Sequence, residues 1–319
     1  MLAPLPERLR TINRASEVDQ RLMEARGRMR RLLLGWRRNF LRYYFVSPPR
    51  WRVLLRAARS SERMVPSFAS LGAVRSGTSL LADYLMQHPC VVLPLAKEIG
   101  VRSFPKKRLI LAQFPTRSEA RQTEAKHGAA ISGYCTPIVP YLPFPYMAAE
   151  LAPELRFILI LRDPVERAFA QWRWDQVLIS RVRQDPLWRR FPDFDECMRL
   201  ELESMRHHGG GVTCFSGVGA GGYLQHSIYQ PFIETLFRLF DRNRVHVISA
   251  GEFFADPASV VKGAYRFLGL PDYEPVVTPV KNPGPAGTML EATREALRDF
   301  FRPINQELYR LLDRDFGWQ

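Results

Sequence analysis

Lysine is scarce in this 319-residue chain, with six lysines against 40 arginines. That bias points to the codon usage of a GC-rich, bacterial genome more than to forty working guanidinium groups. Cysteine is scarcer still, at positions 90, 135, 197 and 214 only. None stands in a C-x-x-C pair or in zinc-type spacing with histidine, and four scattered thiols make no dense disulfide framework. The expectation is reduced thiols in a cytoplasmic protein without a metal. Also missing is any run of about eighteen uncharged residues that would span a bilayer. Met1 to Arg14 carries three arginines and no apolar core of the signal-peptide kind.

What is present is enough apolar material, 46% of residues, to bury a sizeable core. The net charge of +14 is unevenly spread. Residues 1–64 hold 16 arginines, no lysine and five acids, a net +11, which leaves about +3 for the other 255 residues. The division expected is therefore a basic, largely helical extension over 1–64 and a single catalytic-type domain over 65–319. Within the extension Met29, Leu33, Trp36, Phe40 and Tyr44 recur at helical spacing and share one stripe, with arginines around it. Two readings stay open: a helix lying on an anionic membrane face, or one packed on the rest of the protein. Nucleic-acid binding ranks below both, because no nucleic-acid motif accompanies the charge. Ser47-Pro48-Pro49 is expected to end that helix.

From Ser67 onward strand-like and helical stretches alternate, which predicts a P-loop-like three-layer α/β fold, a central parallel sheet flanked by helices. Strands are expected over Ser67–Gly72, Phe157–Leu161 and Arg244–Ala250, with a strand-like Val91–Leu95. Helices are expected over Ser79–Gln87, from Val165, and over Ala255–Leu268 and Glu291–Leu312. Gly209 to Gly222 is glycine-rich, but no strand precedes its G-V-G-A-G-G, so it is no dinucleotide fingerprint.

The stretch LGAVRSGTSLL, Leu71 to Leu81, has the glycine spacing of a triphosphate-binding loop, with Thr78 where the lysine of that loop belongs. Its cation is Arg75. A second loop, Arg162-Asp163-Pro164, follows the FILIL run. Both place a cation at the start of a helix, where free N–H groups and the helix dipole favour anions. Ligands of open α/β sheets settle at the carboxyl ends of the strands, so the two loops predict a ligand with two separated phosphate-like groups.

Several segments in register resemble the sulfotransferases that use 3′-phosphoadenosine 5′-phosphosulfate (PAPS), in particular the heparan-sulfate-type and bacterial carbohydrate branch. FASLGAVRSGTSLLADYLMQHPCV, Phe68 to Val91, is similar to that family's 5′-phosphosulfate loop and helix. ILILRDPVERAFAQW, Ile158 to Trp172, is similar to its 3′-phosphate strand-loop-helix. The likeness continues through Gly222-Tyr223, Phe253 to Pro257, Phe267 to Pro271 and LYRLLDRDFGW, Leu308 to Trp318.

The resemblance implies that Arg75, with Ser76, Gly77, Thr78 and Ser79, holds the 5′-phosphosulfate without Mg²⁺, and that Arg162 grips the 3′-phosphate. The family's serine eight positions after that arginine is replaced by Ala170. Lys97-Glu98 resembles the family's K-E, making Glu98 the general base, with a structural carboxylate paired to Lys97 or Arg102 as the alternative. His88 is a rival base on its chemistry and is read as a structural cap of the first helix. Arg167 is left between a structural pair with Glu166 or another acid and a ligand role. Gly133 to Pro137 resembles the G-E-x-[ST]-P that lines the cleft, with Tyr134 in place of the acid. Lys281 falls in the loop that closes over the donor. Lys97, Tyr134 and Tyr223 are the candidate acceptor contacts.

The function implied is transfer of a sulfuryl group from PAPS to a hydroxyl of a saccharide, glycolipid or small metabolite, releasing PAP. The alternatives are a non-catalytic, membrane-associated relative of the fold and a P-loop kinase. The absent lysine argues against the kinase.

Overall fold

The computed structural model describes residues 50–99, 106–139, 143–180, 193–208, 222–276 and 287–318. The stripe from Met29 to Tyr44, most of the glycine-rich stretch and Lys281 lie outside these residues. The chain divides into two compact units, one formed by 35–162 with 231–281, the other by 1–34, 163–230 and 282–319.

The first unit holds a four-stranded, wholly parallel sheet in the order β2-β1-β3-β4. Its strands are β1 (Phe68–Ala73), β2 (Gly133–Val139), β3 (Arg156–Leu161) and β4 (Val245–Ser249). Three of them match the apolar runs in the sequence, because β1 and β3 are covered on both faces and so carry continuous rather than alternating hydrophobicity. Phe68, Ile158, Ile160 and Ile248 face α2 (Thr78–Leu85), α9 (Ala250–Ala255) and α10 (Pro257–Phe267), where they pack with Leu81, Leu85, Phe253 and Tyr265. The opposite face meets α5 (Pro143–Leu151) and α8 (Gln230–Leu239): Phe157 packs edge-on against Phe240, with ring centroids 4.7 Å apart, and Tyr134 meets Phe144 at 6.3 Å. Helices on both faces make the three layers expected.

One expectation needs correction. Val91–Leu95 is not a strand; it forms an isolated bridge, Val91 to Ile131, and then turns away. Pro94 has no N–H to extend a ladder. The strand that stands there instead is GYCTPIV, Gly133–Val139, an edge strand, the one place in a sheet that tolerates a proline such as Pro137. Gly133 is required in it, since a Cβ would lie 2.4 Å from the Phe68 carbonyl oxygen.

Part of the expected extension packs into this unit. Helix α1 (Arg50–Ala57) buries Val53 with Ala112, beside Leu95 and Leu109, and Arg56 donates to the carbonyl oxygens of Ala112 and Phe114, each at 2.7 Å. The short α3 (Lys107–Leu111) and α4 (Arg117–His127) follow, the latter opened by a Thr116–Glu119 capping box.

The second unit packs α6 (Pro164–Ser180), α7 (Phe194–His208) and α11 (Glu291–Leu312) around Phe169, Phe194, Met198, Leu297 and Phe301.

Candidate active site

The turn after β1 is built for a close approach between strand and helix. A Cβ on Gly72 would come within 2.2 Å of Thr78 Cγ2 and 2.7 Å of Ile160 Cγ2, so only glycine lets the start of α2 sit down on the sheet. Gly77 caps α2 with φ +98°, and Phe254 would lie 3.0 Å from any Cβ there. Arg75 itself adopts φ +67°, a conformation that costs a non-glycine residue about 1 kcal/mol or more and marks functional turns. Ser76 N–H closes the turn onto the Ala73 carbonyl at 3.2 Å. Ser76 Oγ is buried and without a hydrogen-bond partner among the described residues. Beyond it, the first N–H groups of α2 have no carbonyl within their own helix to bind. This cradle suits an oxyanion.

Arg162 stands at the end of β3, the strand next to β1. Its Nη1 donates to the Arg75 carbonyl oxygen at 3.0 Å, so the two expected anion loops are joined. Lys97 adds a third cation. Its Nζ donates to Ser79 Oγ at 2.8 Å and lies 3.4 Å from Glu98 Oε1, and the Lys97 carbonyl is held by Cys135 N–H of β2 at 3.0 Å. Glu98 keeps 20% of its side-chain surface. Burial raises the Glu98 carboxyl above the ordinary carboxylate range, and the Lys97 ammonium only partly offsets that. A carboxylate poised so is a stronger base than an exposed one, and Lys97 keeps it oriented. Of the two partners left open for Glu98, Lys97 pairs with it and also touches the anion loop, while Arg102 lies outside the described residues.

Arg75, Ser76, Gly77, Thr78, Ser79, Lys97, Glu98 and Arg162 therefore come together in the first unit. Tyr134 does not open onto a cleft: it is 2% exposed, turned to the face of β2 that packs with Phe114 and Phe144. Tyr223, expected on the acceptor side, belongs to the second unit, is wholly buried, and donates its hydroxyl to Asp175 at 2.9 Å. His88 is the structural group expected, accepting from Cys90 N–H at 3.1 Å while Nε2 lies 3.0 Å from the Pro271 carbonyl oxygen. Arg167 takes a structural role, with partners other than Glu166. It is wholly buried, binding Ser227 Oγ at 2.6 Å, Gln171 Oε1 at 2.7 Å and the Tyr223 carbonyl, while Glu166 pairs with Arg294 at 2.7 Å. The contact missed from sequence is the one from Lys97 to Ser79, eighteen residues apart and brought together by the turn after β1. The place of Phe254 against Gly77 depends on β4 lying beside β3.

A parallel sheet with an anion cradle after its first strand, a loop arginine in place of the triphosphate lysine and a second arginine loop beside it defines a P-loop-like protein for a doubly anionic ligand. No protein-family model matches the chain. The membrane-associated sulfotransferase kil1 of Dictyostelium discoideum is 23% identical over 80% of this chain and 67% of its own length. Heparan sulfate glucosamine 3-O-sulfotransferase 3B1 of Mus musculus is 23% identical over 81% of this chain and 66% of its own. The chain thus spans about two thirds of the length of these curated relatives. The crystal structure of a sulfotransferase from Alicyclobacillus acidocaldarius aligns with a TM-score of 0.56 and 25% identity, over 79% of this chain and 97% of that one. Relatives and solved structure alike are sulfotransferases, and this chain is similar to them over about four fifths of its length.

Proposed function

We propose that the protein transfers the sulfuryl group of PAPS in line to a hydroxyl of a saccharide, glycolipid or small metabolite. The Glu98 carboxylate takes the acceptor's proton as its oxygen attacks sulfur. The bond from sulfur to the 5′-phosphate breaks, and the charge that gathers on the departing PAP is met by Arg75, Lys97 and the N–H groups and hydroxyls of Ser76 to Ser79. Arg162 holds the 3′-phosphate through charge-assisted hydrogen bonds. A sulfuryl group carries less charge than a terminal phosphoryl, so the cradle needs no metal to neutralise it. Lys281 closes over the donor on the family resemblance alone. A long acidic polysaccharide is disfavoured as acceptor, because residues 65–319 are near neutral and polyanion binding normally needs a basic surface.

The observation that carries this reading is Lys97, whose ammonium spans from Ser79 of the anion loop to the Glu98 carboxylate. Calorimetry with PAP tests it. Binding that is lost in Arg75→Ala and Arg162→Ala supports the donor site, and no binding by the intact protein at hundreds of micromolar sinks it.

The basic N-terminal region brings the protein to an anionic membrane as a peripheral contact. No described helix is long and apolar enough to cross a bilayer.

A further inference from the structure

Helix α1 presents a surface that the transfer reaction does not use. At about 100° per residue, Val53, Arg56 and Ala57 share one side, and that side is docked: Val53 is buried, Ala57 packs beside Leu95 and Leu109, and Arg56 is tied to the Ala112 and Phe114 carbonyls. Leu54, Trp51 and Leu55 fall together on the other side, 58%, 64% and 70% exposed. Arg50 lies along one edge of that stripe and Arg52 along the other. Single exposed apolar side chains are ordinary, but three large ones side by side mark a contact surface.

Charge decides what the contact is. An apolar stripe edged by arginines is the layout of a helix lying in the headgroup layer, with aromatic and aliphatic groups inward and guanidinium groups on phosphates. Residues 1–64 carry +11 against about +3 for the rest, so this end of the protein is drawn to an anionic surface. A second copy of α1 is a poor occupant, because it would set Arg50 and Arg52 against their own like charges. We infer that α1 docks the protein on an anionic lipid bilayer through Trp51, Leu54 and Leu55, with Arg50 and Arg52 on the lipid phosphates. This rests on the peripheral-membrane reading above, gives it a surface, and does not depend on the transfer chemistry.

The test uses the full chain and phosphatidylcholine vesicles with and without phosphatidylserine, followed by co-sedimentation, with PAP calorimetry on the same samples. The wild type should prefer the phosphatidylserine vesicles and lose that preference as salt rises. The Trp51→Ser/Leu54→Ser/Leu55→Ser variant should bind them at least about tenfold more weakly while still binding PAP. Leu55→Glu changes only the most exposed position and should weaken binding in the same direction, which carries the test should the triple variant fail to fold. Wild-type affinity in a folded triple variant or in Leu55→Glu would overturn the inference, as would a wild type indifferent to phosphatidylserine. A wild-type dimer that becomes monomeric in the variant would assign the stripe to self-association instead. Loss of PAP binding by the wild type would sink the donor site and leave the vesicle result standing.

Discussion

Arg162 donates from Nη1 to the carbonyl oxygen of Arg75 at 3.0 Å, across 87 residues of chain. One guanidinium thereby fixes the turn that carries the other, and an anion held by Arg162 also steadies the left-handed Arg75. Arg162→Ala should therefore weaken PAP binding by more than one contact. A hydrogen bond to a charged group is worth about 1.5–3 kcal/mol, so a loss of at least about tenfold is expected by calorimetry. Arg162→Lys should recover only part of it, since a lysine cannot serve the carbonyl and a phosphate with a fixed fork. Full recovery by lysine would show that charge alone matters.

Gly72→Ala should be damaging out of proportion to its size. The added methyl meets Thr78 Cγ2 at 2.2 Å and Ile160 Cγ2 at 2.7 Å, so the start of α2 must lift from the sheet. Overpacking of this kind costs about 1–3 kcal/mol, read as a lowered Tm. PAP affinity should fall with it, because the cradle moves with the helix. Gly263→Ala, with nothing within 4 Å of the added Cβ and no positive φ to strain, is the control that leaves the site alone.

Much of this arrangement was legible before the structure, for reasons that lie in particular residues. β1 and β3 are covered on both faces, so Phe68 to Ala73 and FILIL announce themselves as apolar runs. Arg75 and Arg162 follow those runs directly, which made them candidates without knowledge of the sheet order. β2 has no such apolar run, because an edge strand can carry Gly133, Thr136 and Pro137. The family resemblance implies a cleft role for Tyr134 and Tyr223, yet both rings serve the core. Two of the Arg167 acceptors, Ser227 and the Tyr223 carbonyl, lie about sixty residues away, beyond the reach of a local reading.

Glu98→Gln should keep PAP affinity and lose turnover, by about 10²–10⁴ if the carboxylate is the base. The pH profile supplies a second reading. Burial raises the folded carboxyl above its ordinary value, so kcat/KM should fall with acid through a midpoint higher than about 4.3. Lys97→Met removes the ammonium that opposes this rise, and should move the midpoint further up. A Glu98→Gln enzyme with unchanged turnover would remove Glu98 from the mechanism.

The second unit offers a stability test independent of catalysis. Burial holds the Glu201 carboxyl up at about 8 and the His226 ring down at about 3. Glu201 binds a proton in the folded state that the unfolded chain releases above about 4.3, so its contribution is lost as pH rises toward 8. His226 works the other way, its contribution growing from about 3 to 6.5 as the unfolded ring deprotonates. The two oppose each other in mild acid. From about pH 6.5 to 8 Glu201 acts without that counterweight, and Tm should decline across that window. Glu201→Gln should flatten the decline; an unchanged slope would place its origin elsewhere.

Ala170 offers a test of the proposed donor site. It sits in α6 eight residues after Arg162, 4% exposed, where the family resemblance calls for a serine on the 3′-phosphate. A neutral hydrogen bond is worth about 0.5–1.5 kcal/mol, so Ala170→Ser should tighten PAP binding by up to about tenfold. The gain should vanish with a ligand that lacks the 3′-phosphate, such as adenosine 5′-phosphosulfate. In that comparison a hydroxyl that contacts the phosphate separates from one that merely alters helix packing, because packing would shift both affinities alike. Burial sets the cost: a hydroxyl added at a closed position lowers stability unless it finds a partner. A serine variant that loses Tm alone but regains it with PAP would therefore assign the position to the donor site. One that loses Tm and gains no affinity would mean that the alanine belongs to the core of α6.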